Sequence, residues 1–111
     1  MNEILDNVEV LKDLIANSSE YKEYDKLTKE LDKDKQINEI IEKIKRLQKE
    51  VVNKEIKNEE TNELELELEG LFNKLNSNKR YKDYLESSKR LNELITKIQD
   101  RFSQSFNEII N

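Results

Sequence analysis

The chain has 111 residues, 41% of them charged and 34% apolar, with a net charge of −5 and neither cysteine nor histidine. Without those two residue types it has no thiol, Cys–His or Ser–His nucleophilic centre and no zinc site of the usual kind. Leu, Ile, Val and Phe still occupy 32 positions, 29% of the chain, above the level at which a highly charged sequence fails to collapse, so one folded domain over residues 1–111 is expected.

Proline is absent and Gly70 is the only glycine, while Leu, Lys, Glu and Gln are abundant; helix is the class these residues support. The first segment, "NEILDNVEVLKDLIA" (2–16), sets Ile4, Val8, Leu11 and Ile15 on one stripe, with Asn2 as N-cap. "NSS" (17–19) interrupts it. Ser18 or Ser19 then caps a second helix whose apolar face is Tyr21, Tyr24, Leu27 or Thr28, and Leu31. "DKD" (32–34) is the next boundary, and Asp34 suits the N-cap of the third helix. That helix has the clearest pattern, with Ile37, Ile40, Ile41, Ile44, Leu47 and Val51 at three- and four-residue spacing.

"NKEIKNEET" (53–61) is polar and suits a hairpin connection; Asn58 followed by two glutamates reads as the start of a fourth helix. "ELELELEG" (63–70) is ambiguous, because strict Leu/Glu alternation is a strand signature. Neither residue is β-branched, however, and Leu64, Leu68, Leu71 and Leu75 also fit a helical stripe, so helix is preferred. Leu66 is then a flanking position, and Gly70 either a tolerated weak spot or a point of close approach. "NSN" (76–78) ends that helix and caps the last, expected from 79 to about 109. Its seam runs from Tyr81 and Tyr84 through Leu85, Ser88, Leu91, Ile95, Ile98, Phe102 and Phe106 to Ile109, about four heptads.

The expected fold is therefore all-α, an antiparallel bundle of four to five helices with a long C-terminal helix. A thin, charge-rich monomer offers few places to bury so long a stripe, which argues for a homodimer. Leu85, Leu91, Ile95, Ile98, Phe102 and Phe106 are the candidate interface residues. Asn92 and Gln99 flank this seam, either fixing its register or simply exposed at its margin.

"SSEYKEYD" (18–25) and "NKRYKDYL" (78–85) are near-copies sixty positions apart. Each begins a helix with a Tyr-x-x-Tyr pair after a polar cap, placing both rings on one face. Tyr21, Tyr24, Tyr81 and Tyr84 are thus candidate partner-docking residues. The competing reading, rings covering a core edge while their hydroxyls reach water, is favoured because packing already explains the spacing.

Charge is uneven: residues 1–33 carry −4, 34–57 carry +2, 58–76 carry −5 and 77–111 carry +2. Oppositely charged faces can select a partner. Basic clusters at Lys43, Lys45, Arg46 and Lys49, and at Lys79, Arg80, Lys82, Lys89 and Arg90, are interleaved with acids, which argues against direct nucleic-acid binding. Glu63/Glu67 and Glu65/Glu69 stand one turn apart, but helical di-metal sites also need histidine, so a solvated acidic face is expected, with no cofactor. No catalytic constellation is recognisable. The chain shows no apolar run long enough to span a bilayer and no signal-peptide pattern, and a cytoplasmic, non-membrane location is expected.

The layout of residues 10–110 resembles the YlbF/YmcA family of small bacterial proteins. Ser19, Glu20, Tyr21 and Tyr24 fit that family's "s-x-E-Y-x-x-Y" element, Leu47 and Gln48 its "L-Q" element, and Asn78 and Tyr84 its late "N-P-x-x-x-x-Y" stretch. Lys79 stands where many relatives have proline. The resemblance implies an all-α, non-catalytic, usually oligomeric regulator. Family members act with YaaT in low-GC Gram-positive bacteria, influencing competence, sporulation and biofilm formation and modulating mRNA processing through RNase Y. That complex is associated with iron–sulfur clusters, which this cysteine-free chain cannot ligate through thiolate; the YheA-like branch is the alternative comparison. A regulatory protein–protein adaptor is thus the expected function. The rival readings are a prefoldin-like or other coiled-coil chaperone, suited by a strand at "LELELE", and a helical RNA-binding module using residues 79–90.

Overall fold

Five helices, α1 (Glu3–Ala16), α2 (Ser19–Asp32), α3 (Lys35–Ile56), α4 (Asn62–Asn76) and α5 (Lys79–Ile110), carry the chain in a computed structural model that describes residues 2–111. The fold is all-α, as the lack of breakers requires. The helix boundaries fall where short polar side chains can take over backbone groups that the helix itself leaves unpaired. Asn2 accepts from the Ile4 amide at 3.0 Å, and Asp34 accepts from the Ile37 amide at 3.1 Å.

The two near-copied stretches share one junction chemistry. Before α2, the Asn17 side-chain amide donates to the Asp13 carbonyl at 2.8 Å, and the Ser18 amide donates to the Ile15 carbonyl. Before α5, the Ser77 hydroxyl donates to the Asn73 carbonyl at 2.8 Å, and the Asn78 amide donates to the Leu75 carbonyl. Ser18 then accepts from the Tyr21 amide and Asn78 from the Tyr81 amide, both at 3.1 Å. Each tripeptide thus ends one helix and caps the next. Ser18, rather than Ser19, is the residue that caps α2 through its side chain.

One boundary differs from the sequence expectation. Asn58 does not start α4; it ends α3, in the left-handed region at φ 57°. Its amide donates to the Glu55 carbonyl and the Glu59 amide reaches back to the Lys54 carbonyl, the double bond of a Schellman motif. Asparagine tolerates that conformation better than other non-glycine residues, so the same residue type that caps helix starts here closes a helix end. α4 begins at Asn62 after Thr61, whose hydroxyl donates to the Glu65 carboxylate at 3.0 Å. The Leu/Glu alternation is helical throughout, and Gly70 sits inside α4 with nothing within 4 Å of where a Cβ would stand. Gly70 is a weak spot and not a close approach.

The chain divides into two compact units, Met1–Thr28 with Tyr84–Asn111, and Lys29–Asp83. In the second, α3 packs along α4, and Leu31, Ile37, Ile40, Ile44, Leu47 and Leu75 are buried. Each such aliphatic side chain contributes about 1.5–3 kcal/mol relative to an exposed one. The 33–34 connection is held by the Asn38 side chain, which donates to the Asp32 carbonyl at 3.1 Å. Among the described residues of the first unit only Leu91 and Ser87 are buried, and α1 has no buried residue.

Candidate interaction surface

The second tyrosine of each near-copy meets the other. Tyr24 and Tyr84 have ring centroids 5.7 Å apart with planes tilted by 33°, within the range where offset aromatic pairs add stability beyond burial. The Tyr24 carbonyl accepts from the Thr28 hydroxyl and the Tyr84 carbonyl from the Ser87 hydroxyl, each at 2.8 Å. Both rings are half-buried, as is Tyr81, while Tyr21 lies at the exposed margin. Ser87 was not singled out by the seam pattern, which marks Ser88; its burial follows from its small side chain bonding back to its own helix.

Of the candidate interface residues, Leu91 is only 8% exposed and therefore already covered within its own chain. Ile95 and Ile98 are half-buried; Leu85, Phe102 and Phe106 are exposed. Phe102 and Phe106 stack at 5.8 Å between centroids. With Leu11 of α1, and Ile98 and Ile109, they wall an apolar groove of about 500 Å³ whose polar lining is Lys97, Arg101 and Ser105. Leu11 and Ile15 are half-buried, whereas Ile4 and Val8, assigned to the same stripe, are exposed together with Leu5, Val10 and Leu14.

Three of the five basic residues of 79–90 stand beside acids. Lys79 faces Asp83 at 3.5 Å and Arg90 faces Glu86 at 3.9 Å along α5, both as surface pairs. Arg80 donates to Asp34 at 2.9 Å, and the other oxygen of that carboxylate caps α3. One acid thus fastens the start of α3 to the start of α5 within the Lys29–Asp83 unit. These pairings lower the positive density that an RNA-binding reading of 79–90 would use, leaving Lys82 and Lys89 as its exposed cations. The helical state of "LELELE" likewise removes the strand on which the prefoldin-like reading rested. The Glu20 carboxyl is held below its ordinary value of 4.5, first by its own backbone amide, then by the Ser19 hydroxyl and the positive charge of Lys97. Among the described residues no His/Cys/Asp/Glu cluster could hold a metal ion, and no helix is long and apolar enough to cross a membrane.

Helices with charged outer faces, two capped tyrosine pairs and an open apolar groove define a small all-α protein suited to binding other proteins. The chain belongs to the YlbF/YmcA family: residues 4–107 match the family model described as "Control of competence regulator ComK, YlbF/YmcA". Its fold is similar to that of Bacillus subtilis RicA, solved by X-ray crystallography in complex with RicF, with a TM-score of 0.85 over 97% of this chain and 96% of that one at 16% identity. No curated protein matches the sequence.

Proposed function

We propose that the protein is a non-catalytic regulatory adaptor of the YlbF/YmcA kind, acting in the cytoplasm as one domain over residues 1–111. The observation that carries this reading is the large apolar surface left open on a family regulator: Phe102 and Phe106 stack in the open and line a groove that none of the described residues fills. Surface of this kind marks protein interaction sites. The adaptor self-associates along α5 through Leu85, Leu91, Ile95, Ile98, Phe102 and Phe106, with Leu91 as an internal support. It docks a different protein through Tyr21, Tyr24, Tyr81 and Tyr84. RicA is found in complex with RicF, which supports a partner of the same family. YaaT-type proteins and RNase Y are the further partners, through which the protein would influence mRNA processing and thereby competence, sporulation and biofilm formation.

The test is a tagged pull-down from the source cell at moderate salt, repeated with purified components. Recovery of RNase Y or of YlbF-, YmcA- or YaaT-type proteins, lost on Tyr21→Ala/Tyr81→Ala, supports the adaptor. Recovery of the chain alone, together with no binding to purified family partners, overturns it.

A further inference from the structure

Among the described residues, nine of the fifteen exposed large apolar side chains lie on α1 or on the last turns of α5. These two stretches belong to one compact unit and wall the groove between Leu11 and Phe102–Ile109. A monomer seldom leaves so much apolar surface together. The chain's own α1 cannot fill the groove, because it already supplies the Leu11 wall. Another helix is needed.

The chemistry of that helix is written on both sides. The charged groups lining the groove, Lys97 and Arg101, are both cationic. The complementary occupant is therefore an apolar helix flanked by acids. α1 itself has this character: it carries Glu3, Asp6, Glu9 and Asp13 against a single Lys12. It also has a second apolar edge. Val10 and Leu14 stand about 60–100° round the helix from Leu11, with Asp6 and Asp13 about 40–60° beyond Val10. Val10 is 55% and Leu14 65% exposed, so this edge is left uncovered among the described residues.

We propose that the groove receives the Val10–Leu14 edge of α1 from a second copy of this chain. The exchange is reciprocal, so two α1 helices and two α5 ends close a four-helix arrangement. An isologous contact satisfies both grooves at once and leaves no open end for further growth. Asp6 and Asp13 of each copy then face Lys97 and Arg101 of the other. This rests on the self-association in the proposed function, but moves its centre from the middle of α5 to the ends of α1 and α5.

Two charge-reversal variants of the full chain test it by sedimentation velocity, with circular dichroism confirming helicity. Lys97→Glu/Arg101→Glu makes both α1 and the groove acidic; Asp6→Lys/Asp13→Lys makes both basic. Each variant alone should dimerise about tenfold more weakly or worse, through like-charge repulsion. Mixed one to one, they should form a heterodimer at least as tight as the wild-type dimer, because acidic α1 then meets the basic groove and basic α1 the acidic one. These side chains lie on exposed positions, so folding is not at stake. A wild-type dimer that both variants leave unchanged, or a mixture without rescue, overturns this contact while self-association stands. A wild-type chain that stays monomeric at about 0.1 mM overturns both, as does a groove filled by a different protein in a monomeric chain.

Discussion

Single polar side chains set where helices begin and end in this protein, and their removal should be measurable one at a time. Ser18 and Asn78 hold the first amides of the two Tyr-x-x-Tyr turns. Ser18→Ala and Asn78→Ala should each lower stability by about 1 kcal/mol in urea unfolding, whereas Ser19→Ala, which removes no cap, should cost less. Ser19→Ala has a different readout. The Ser19 hydroxyl donates to Glu20 at 2.9 Å and helps hold its carboxyl down. In the variant, the Glu20 carboxyl carbon should titrate closer to the ordinary value of 4.5 by NMR. A folded-state value below the unfolded one stabilises the fold fully above 4.5 and loses that contribution as pH falls through the folded value. Acidification below 4.5 should therefore weaken the wild type more than the variant, and an unchanged titration would refute the Ser19 contribution.

Whole elements were legible where periodicity had one reading and obscure where a residue type has two uses. The stripe from Ile37 to Leu47 names the buried face of α3 because three- and four-residue spacing admits only a helix there. Asn58 was misplaced because asparagine serves both as an N-cap and as a left-handed C-terminal residue, and nothing local distinguishes the two. Its role predicts an asymmetry: Asn58→Gly should be neutral or stabilising, while Asn58→Val should cost about 1–2 kcal/mol at φ 57°. Gly70 has the opposite logic. It lies in mid-helix at negative φ with open space around it, so Gly70→Ala should stabilise α4 by about 1 kcal/mol. A loss of stability in thermal melts would mean that something approaches Gly70 which the isolated chain does not contain. The groove of α1 and α5 was not legible. Each wall reads as an ordinary amphipathic stripe, and only the tertiary placement of Leu11 beside Phe102 and Phe106 turns two stripes into one open cleft.

For the molecule as a whole, the decisive asymmetry lies between a unit that buries its apolar residues and a unit that does not. Residues 29–83 enclose six buried aliphatic side chains, and the other unit, among its described residues, encloses only Leu91. Leu91 already sits inside its own chain, so replacing it would test folding; Ile95 and Ile98, half-buried one turn apart, test association. Placing two carboxylates there puts charge on whatever face covers α5, and an unpaired charge is not tolerated in a dry interface. Ile95→Asp with Ile98→Asp should therefore yield monomers or lose helicity, read together by sedimentation and circular dichroism. The two results separate cleanly. Helical monomers mean that the α5 seam is an intermolecular contact, while lost helicity means that the same face first supports the chain's own fold. A fully helical, stable dimer from this variant would remove the α5 seam from the interface and leave the α1 and α5 ends as the surface on which self-association must depend.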